Sequence, residues 1–493
     1  MPHNIGTSEV LMEDGRRIAL NAALMLLKQA IMAVLGVVFV GYLARRVGVA
    51  AWGEFQASLA IASIVTIAAG VGVRGYLARE VAVRPELGPR HLGAALAIRG
   101  VTGTLVLGAT VAVVLATRSG VGAQLVVLAA ASQLATLLYS TMWLSFEAHE
   151  RFQYILYAEL GARLFVIALS AALLALGFGV VAAAAAFLLG NVLELGITAH
   201  YLRSRLYRPE FATPPAELWQ IAKRSLPIGA LGALASALLQ ADRVMLRALC
   251  DEQAVGVYSA AWVLSENFRM LPDVLLGAAF AAGMRLYAQD GDAFGRLYSG
   301  CMLVAALFGL PVAAGVALLA PDIIRLVYGT TGDYAPSADV LRILACGVPV
   351  TFAFQVVTLP LLAAKREVAM VQMLAVTLVA KIALNLLLLP RYRALGAACA
   401  TLAVSAGALI ASWGMTARWT QFVELGRIAA ILAATAVMAS AAYAARVLAG
   451  MWASMAVGVA VYVVLLVALR AVSFSELRAL LARRVRASPA AVA

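Results

Sequence analysis

Eight cations stand inside long apolar runs of the sequence: Lys28, Arg74, Arg99, Arg163, Arg243, Arg269, Arg342 and Lys381. At about 2.5–3.5 kcal/mol each at mid-bilayer, exposing all of them to lipid would cost on the order of 20 kcal/mol, so they must meet acids, water or an interface. Some have partners on their own helix. Glu159 precedes Arg163 by four residues, and Glu266, Arg269 and Asp273 share one face at spacings of three and four. Arg74 and Arg342 lie near span ends, where a long side chain reaches the interface. Lys28, Arg99 and Lys381 have no acid at helical spacing. Lys28, Arg99 and Arg163 lie at comparable depth from one membrane face, with Lys381 nearer the middle. Such cations suit a phosphate-bearing ligand, arginine supplying a planar fork and lysine a point charge. The competing arrangement is pairing between helices with Glu194 or Asp242, the two intramembrane carboxylates that lack a basic residue three or four positions away. The candidate cavity residues are therefore Lys28, Arg99, Arg163, Arg269 and Lys381, and the candidate ion-coupling residues are Glu194 and Asp242.

Other chemistry is missing. Each of the four lysines is followed by Gln29, Arg224, Arg366 or Ile382, so no Gly-Lys-Ser/Thr phosphate loop exists and ATP hydrolysis within the chain is not expected. His3, His91, His149 and His200 are far apart, and no metal site or cofactor is expected. Cys250, Cys301, Cys346 and Cys399 stand singly and read as small buried thiols. Gly70-x-Gly72-x-x-Gly75 matches a dinucleotide fingerprint, but it falls at the end of an apolar span, where close helix packing is the better account. A net charge of +13 in a soluble protein would suggest nucleic acid. Here no basic run is interleaved with aromatics, so the charge reads as cytoplasmic loops and anionic-lipid contact.

The elements that position these residues are membrane helices. The 493 residues are 63% hydrophobic and only 13% charged, about half the charge a soluble chain carries. About fourteen apolar runs are long enough to cross a hydrocarbon core of about 30 Å, and a backbone in lipid must satisfy its own hydrogen bonds, which requires helices. The fold class expected is an all-α polytopic membrane protein. Its parts are a cytoplasmic segment 1–17, a first lobe 18–202 of six spans, a linker 203–220, a second lobe 221–418 of six spans, two extra spans over 427–472, and a tail 473–493. Basic residues concentrate in loops on one side, among them Arg79, Arg84, Arg90, Arg203, Arg205 and Arg208, which puts both ends in the cytoplasm. In the tail, Phe474, Leu477, Leu480 and Leu481 oppose Arg478, Arg483 and Arg484, as in an amphipathic helix on an anionic leaflet.

The lobes carry an internal echo. Ala51-Trp52-Gly53-Glu54-Phe55-Gln56-Ala57 follows the first span, and Ala254-Val255-Gly256-Val257-Tyr258-Ser259-Ala260 follows the seventh. Gly179-Val180-Val181-Ala182-Ala183 likewise pairs with Gly396-Ala397-Ala398-Cys399-Ala400. Two lobes in the same orientation imply a pseudo-two-fold along the membrane normal with a cavity between them.

Three segments carry a family likeness: Asn385–Thr401 with its Leu-Pro-x-Tyr-x-Ala-Leu-Gly core, Asp242-Arg243-Val244-Met245-Leu246 with the Gly256 motif after it, and Tyr334-Ala335-Pro336-Ser337-Ala338. They resemble bacterial polysaccharide transporters of the Wzx-like O-unit flippase type, which share a superfamily with lipid II flippases and multidrug exporters. The resemblance implies an inner-membrane transporter of a polyprenyl-diphosphate-linked oligosaccharide. It implies Lys28, Arg99, Arg163 and Lys381 as diphosphate contacts and the last two spans as a groove for the polyprenyl tail. The partners implied are the lipid-linked oligosaccharide, membrane lipids and other polysaccharide-assembly proteins. Two alternatives stand beside it. A cation or drug antiporter would want unpaired carboxylates in its cavity. A membrane glycosyltransferase or polymerase would want a sizeable external loop with acids, for which the longest candidate is 321–338 with Asp322 and Asp333.

Overall fold

The computed structural model describes residues 29–468, apart from 30, 76, 78–86, 118, 331, 365 and 421–422, and apart from the side chains of 68, 269–281, 367, 418 and 420. Lys28, the Arg269 side chain, the segment 1–17 and the amphipathic tail lie outside the described residues.

Helix follows helix. They are α1 (31–47), α2 (Val49–Ala69), α3 (Gly88–Thr117), α4 (Val121–Ala148), α5 (Phe152–Ala175), α6 (Val180–Arg205), α7 (Pro215–Leu249), α8 (Glu252–Gln289), α9 (Gly291–Tyr328), α10 (Ser337–Ala363), α11 (Glu367–Met415), the short α12 (Ala417–Thr420) and α13 (Leu425–Ala468). Local chemistry sets several starts. Pro215 opens α7 where its missing N–H costs nothing. Asp251 and Asp290 cap α8 and α9 by accepting from the backbone N–H groups of Ala254 (2.8 Å) and Ala293 (2.9 Å). Because α9 continues to Tyr328, the external loop expected over 321–338 shrinks to 329–336.

Ten of these helices are long and apolar enough to cross a membrane. Two of them do so twice. α11 has 49 residues, about 74 Å of helix at 1.5 Å per residue, more than twice a hydrocarbon core. Its helical dihedrals break at Arg393 (φ 51°), and Gly396 returns against the Leu388 carbonyl. α13 breaks at Gly450 (φ 82°), and Ser454 then donates back to the Ala442 carbonyl at 2.7 Å. The two reversals raise the ten to twelve crossings, and with α1 and α8 the chain is an all-α polytopic bundle of about fourteen membrane helices, as its apolar runs required.

In the first lobe α4 packs on α2, α3 and α6, and α5 packs on α6; in the second, α10 packs on α8, α9 and α11. The lobes meet through α2, which lies along α7 and α8. Here the sequence echo finds its purpose. A side chain on Gly53 would strike the Glu252 carbonyl, and one on Gly256 would strike the Val49 carbonyl, four residues before the glycine in both cases. Each repeat thus meets the other in the same way, which is the contact a two-fold axis makes.

Around this seam, on the membrane face we call the Glu54 face, polar bonds join the lobes. Arg247 pairs with Glu54 (2.5 Å) and Glu252 (2.7 Å), and Arg243 donates to Gln56 at 3.2 Å. Tyr334 donates to the Ala44 carbonyl at 3.1 Å; burial pushes its phenol pKa well up, so it stays a donor. A cavity of about 540 Å³ lined by Glu54, Ser119, Gly122, Arg247 and Glu252 opens beside the seam. On the opposite, linker face, Arg90 pairs with Glu217 at 2.5 Å, and Gly72 (φ 69°) fits against Ser225 and Gly229. The α13 hairpin joins the second lobe: Tyr462 donates to the Leu307 carbonyl of α9 at 2.8 Å, and Arg446 meets Asp322 at 2.6 Å.

Candidate functional site

Among the described residues, each lobe holds a buried polar cluster built around a charged side chain. In the second, Asp242 of α7 is fully buried. Its Oδ2 accepts from Lys381 Nζ (2.8 Å), Tyr258 OH (2.6 Å) and Thr401 Oγ1 (2.9 Å), and its Oδ1 accepts from Asn385 Nδ2 (2.9 Å). Lys381 also donates to the Leu238 carbonyl at 2.9 Å. Lys381 and Asn385 are four apart on α11, so both project from one face onto α7. The expectation that Lys381 is an unpaired cavity cation, and Asp242 an unpaired carboxylate, is therefore corrected. They lack partners on their own helices because they are each other's partner across helices, and burial leaves neither charge an alternative in water.

The first-lobe cluster is different. Arg99 lies eleven residues after Gly88, about 16 Å along α3 from the linker face, and is 9% exposed. Its Nη1 donates to Thr141 Oγ1 of α4. The other terminal nitrogen lies 3.3 Å from where a side chain on Gly70 would begin, so that glycine leaves room for the guanidinium. Arg99 Nε is buried without an acceptor, and no carboxylate among the described residues pairs with the group. A guanidinium has five donors, and a buried donor left unmade costs roughly 1–3 kcal/mol. An acceptor-rich anion is what such a group lacks.

The other expected residues separate accordingly. Arg163 also lies eleven residues from the start of its helix, α5, hence at the depth of Arg99. Glu194 of α6 is buried, and α6 packs on both α4 and α5, the helix that carries Glu159 and Arg163. Arg342 pairs with Asp339 at an exposed end (2.5 Å), as its position near a span end suggested. Arg74 does more than reach the interface: it pairs with Glu147 of α4 at 2.6 Å. The glycines of the fingerprint-like motif serve packing, Gly72 and Gly75 meeting α7 at Ser225, Ile228 and Gly229. Sequence reasoning missed Thr141, Glu147, Tyr258 and Thr401, since hydroxyls and span-end acids in this composition carry no spacing that marks them.

Two pseudo-symmetric lobes of membrane helices, with charged groups sequestered between the spans, define a membrane transporter. The fold agrees with that of solved transporters. A lipid II flippase, MurJ, in an inward closed conformation superposes with a TM-score of 0.71 over 90% of this chain and 98% of that one, at 14% identity. An inward-facing multidrug resistance MATE family transporter of the MOP superfamily gives 0.64 over 79% and 95%, at 17% identity. A MOP superfamily transporter from Pyrococcus furiosus, described as having a binding pocket of reverse polarity, gives 0.56 over 85% and 96%, at 18% identity. No curated protein matches the chain in sequence. A family model for polysaccharide biosynthesis proteins matches residues 18–282, more than half of the chain, which therefore belongs to that family.

Proposed function

We propose that the protein exports a lipid-linked oligosaccharide, carried on a polyprenyl diphosphate, across the bacterial inner membrane by alternating access of its two lobes. The observation that carries this reading is Arg99: a buried cation about 16 Å along α3 from the linker face, with one hydroxyl partner and, among the described residues, no carboxylate. The family, and the likeness to a lipid II flippase, support a lipid-borne cargo. With the linker face in the cytoplasm, as the basic loops indicate, Arg99 and Arg163 meet the diphosphate in the first lobe, and Lys28 and Arg269 are their further partners. Glu194 remains the carboxylate for a coupling ion. The lobes are 18–202 and 221–418. The α13 hairpin, which presents Val437, Val447, Val459 and Val463 outward, offers the polyprenyl chain an apolar face. An antiporter of cations would present a carboxylate to its cargo, whereas Asp242 is already neutralised by Lys381.

The test is Arg99→Ala in a strain that depends on this protein for surface glycan. Export should fall at least tenfold while the amount of protein in the membrane stays normal. Wild-type export in this variant would sink the reading. In proteoliposomes, flipping of a fluorescent lipid-linked sugar should need no ATP and should respond to membrane potential, since each charge moved is worth about 2.3 kcal/mol per 100 mV.

A further inference from the structure

Arg74 and Glu147 have no role in the reading above, yet they sit on the two segments that hold Arg99. Arg74 comes four residues after Gly70, against which a terminal nitrogen of Arg99 lies, so the two like charges oppose each other. The chain brings it there by breaking α2: Val71 (φ 51°) and Gly72 (φ 69°) turn the backbone before the helix resumes at 73. A β-branched residue in that region is strained by about 1–3 kcal/mol, so the turn is held by its surroundings. Arg74 Nε, like Arg99 Nε, is a buried donor with no acceptor. Glu147 is on the same helix as Thr141, toward the linker face, so α4 supplies both the hydroxyl on Arg99 and the carboxylate on Arg74. The side chains of Arg74 and Glu147 are 42% and 36% exposed, so their pair is open to exchange, unlike the sealed pair of the second lobe.

We infer that Arg74 is the second guanidinium of the substrate site, and that Glu147 is its resident counterion, standing in for the second negative charge of the diphosphate and leaving when that group arrives. The inference rests on the reading of Arg99 as a diphosphate contact. Two guanidinium groups and one carboxylate carry one net positive charge. A phosphodiester of one charge neutralises that with Glu147 in place. A diphosphate brings two or more charges, and both guanidinium groups are satisfied by it once Glu147 swings into water. Glu147 therefore competes with the diphosphate and not with the phosphodiester, which loosens the cargo so that it is released after reorientation.

The experiment is calorimetric titration of full-length protein in zwitterionic nanodiscs with farnesyl diphosphate and with farnesyl methyl phosphate, a phosphodiester of one charge. Glu147→Gln should tighten diphosphate binding about tenfold and phosphodiester binding by less than about threefold, and should slow flipping of the lipid-linked sugar. Glu147→Asp, one methylene shorter, should move diphosphate affinity the same way by less. Arg74→Gln should erase the preference for diphosphate over phosphodiester. A Glu147→Gln protein that binds diphosphate no better than wild type, or an Arg74→Gln protein that keeps the preference, would overturn the inference while Arg99→Ala still abolished binding. If the wild type binds neither ester, the reading of Arg99 itself falls.

Discussion

The two lobes put opposite chemistry in the same place. The offset of 203 residues that carries Gly53 onto Gly256 also carries Phe39 onto Asp242 and Phe55 onto Tyr258. In the first lobe, Phe39 and Phe55 are buried with their rings against Phe187, at centroid distances of 5.6 and 5.3 Å. In the second, Asp242 and Tyr258 hold Lys381, Asn385 and Thr401. One fold accepts three aromatic rings or an ion pair at equivalent positions, so the architecture requires that the place be filled and does not require charge. A buried pair is often no more stabilising than apolar residues of similar volume. What Asp242 and Lys381 contribute should therefore be sought in transport. The charged layers also differ in height: Arg99 lies eleven residues in from the linker face, whereas Asp242 lies seven residues from the opposite end of α7.

The comparison is broken most severely by unpairing the second lobe. Lys381→Met should destabilise the protein by about 3–5 kcal/mol, because Asp242 is left buried and charged, while Arg99→Met should cost less than about 1 kcal/mol, having only a hydroxyl to lose. Thermal melting of both variants in one detergent measures the gap. The double variant Asp242→Leu/Lys381→Met should recover most of the lost stability. If it melts as low as the single variant, the claim that the place needs only filling is wrong. A smaller effect sharpens the symmetry. Gly53→Ala and Gly256→Ala each push a methyl into a facing carbonyl, and each should cost about 1–3 kcal/mol. Reciprocity requires the two melting points to fall together; a large difference would mean that the lobes do not meet on a two-fold. The smallest effect is expected for Arg342→Ala, whose exposed pair with Asp339 should be worth no more than about 0.5 kcal/mol in the same assay.

Much of this was legible before any coordinates. The spans were, because apolar length in lipid leaves the backbone one solution, and the reversal at Gly450 falls where the apolar run pauses between Leu448 and Met451. The echo around Gly53 and Gly256 was visible, but not its use, since backbone approach leaves no trace in side-chain type beyond glycine itself. The charged sites were legible only as single residues. Helical spacing reports partners three or four positions away, whereas Arg99 reaches Thr141 across 42 positions, Arg74 reaches Glu147 across 73, and Asn385 reaches Asp242 across 143. Which of several distant acids a cation meets is decided by how helices pack, and small residues spread through every span leave that packing unmarked.

The one-residue reversals at Arg393 and Gly450 bear on how the chain enters the bilayer. A polar loop of ten residues can wait in water while the next span is synthesised; a single residue cannot. The arms 425–449 and 451–468 therefore partition as one object. An arm alone would turn its seam to acyl chains, including Ala442 and Gly458, which lie against each other in the finished hairpin. The same holds for the arms of α11 on either side of Arg393. The unit of insertion from residue 367 to 468 is the hairpin, and the growing chain gains its crossings there in twos.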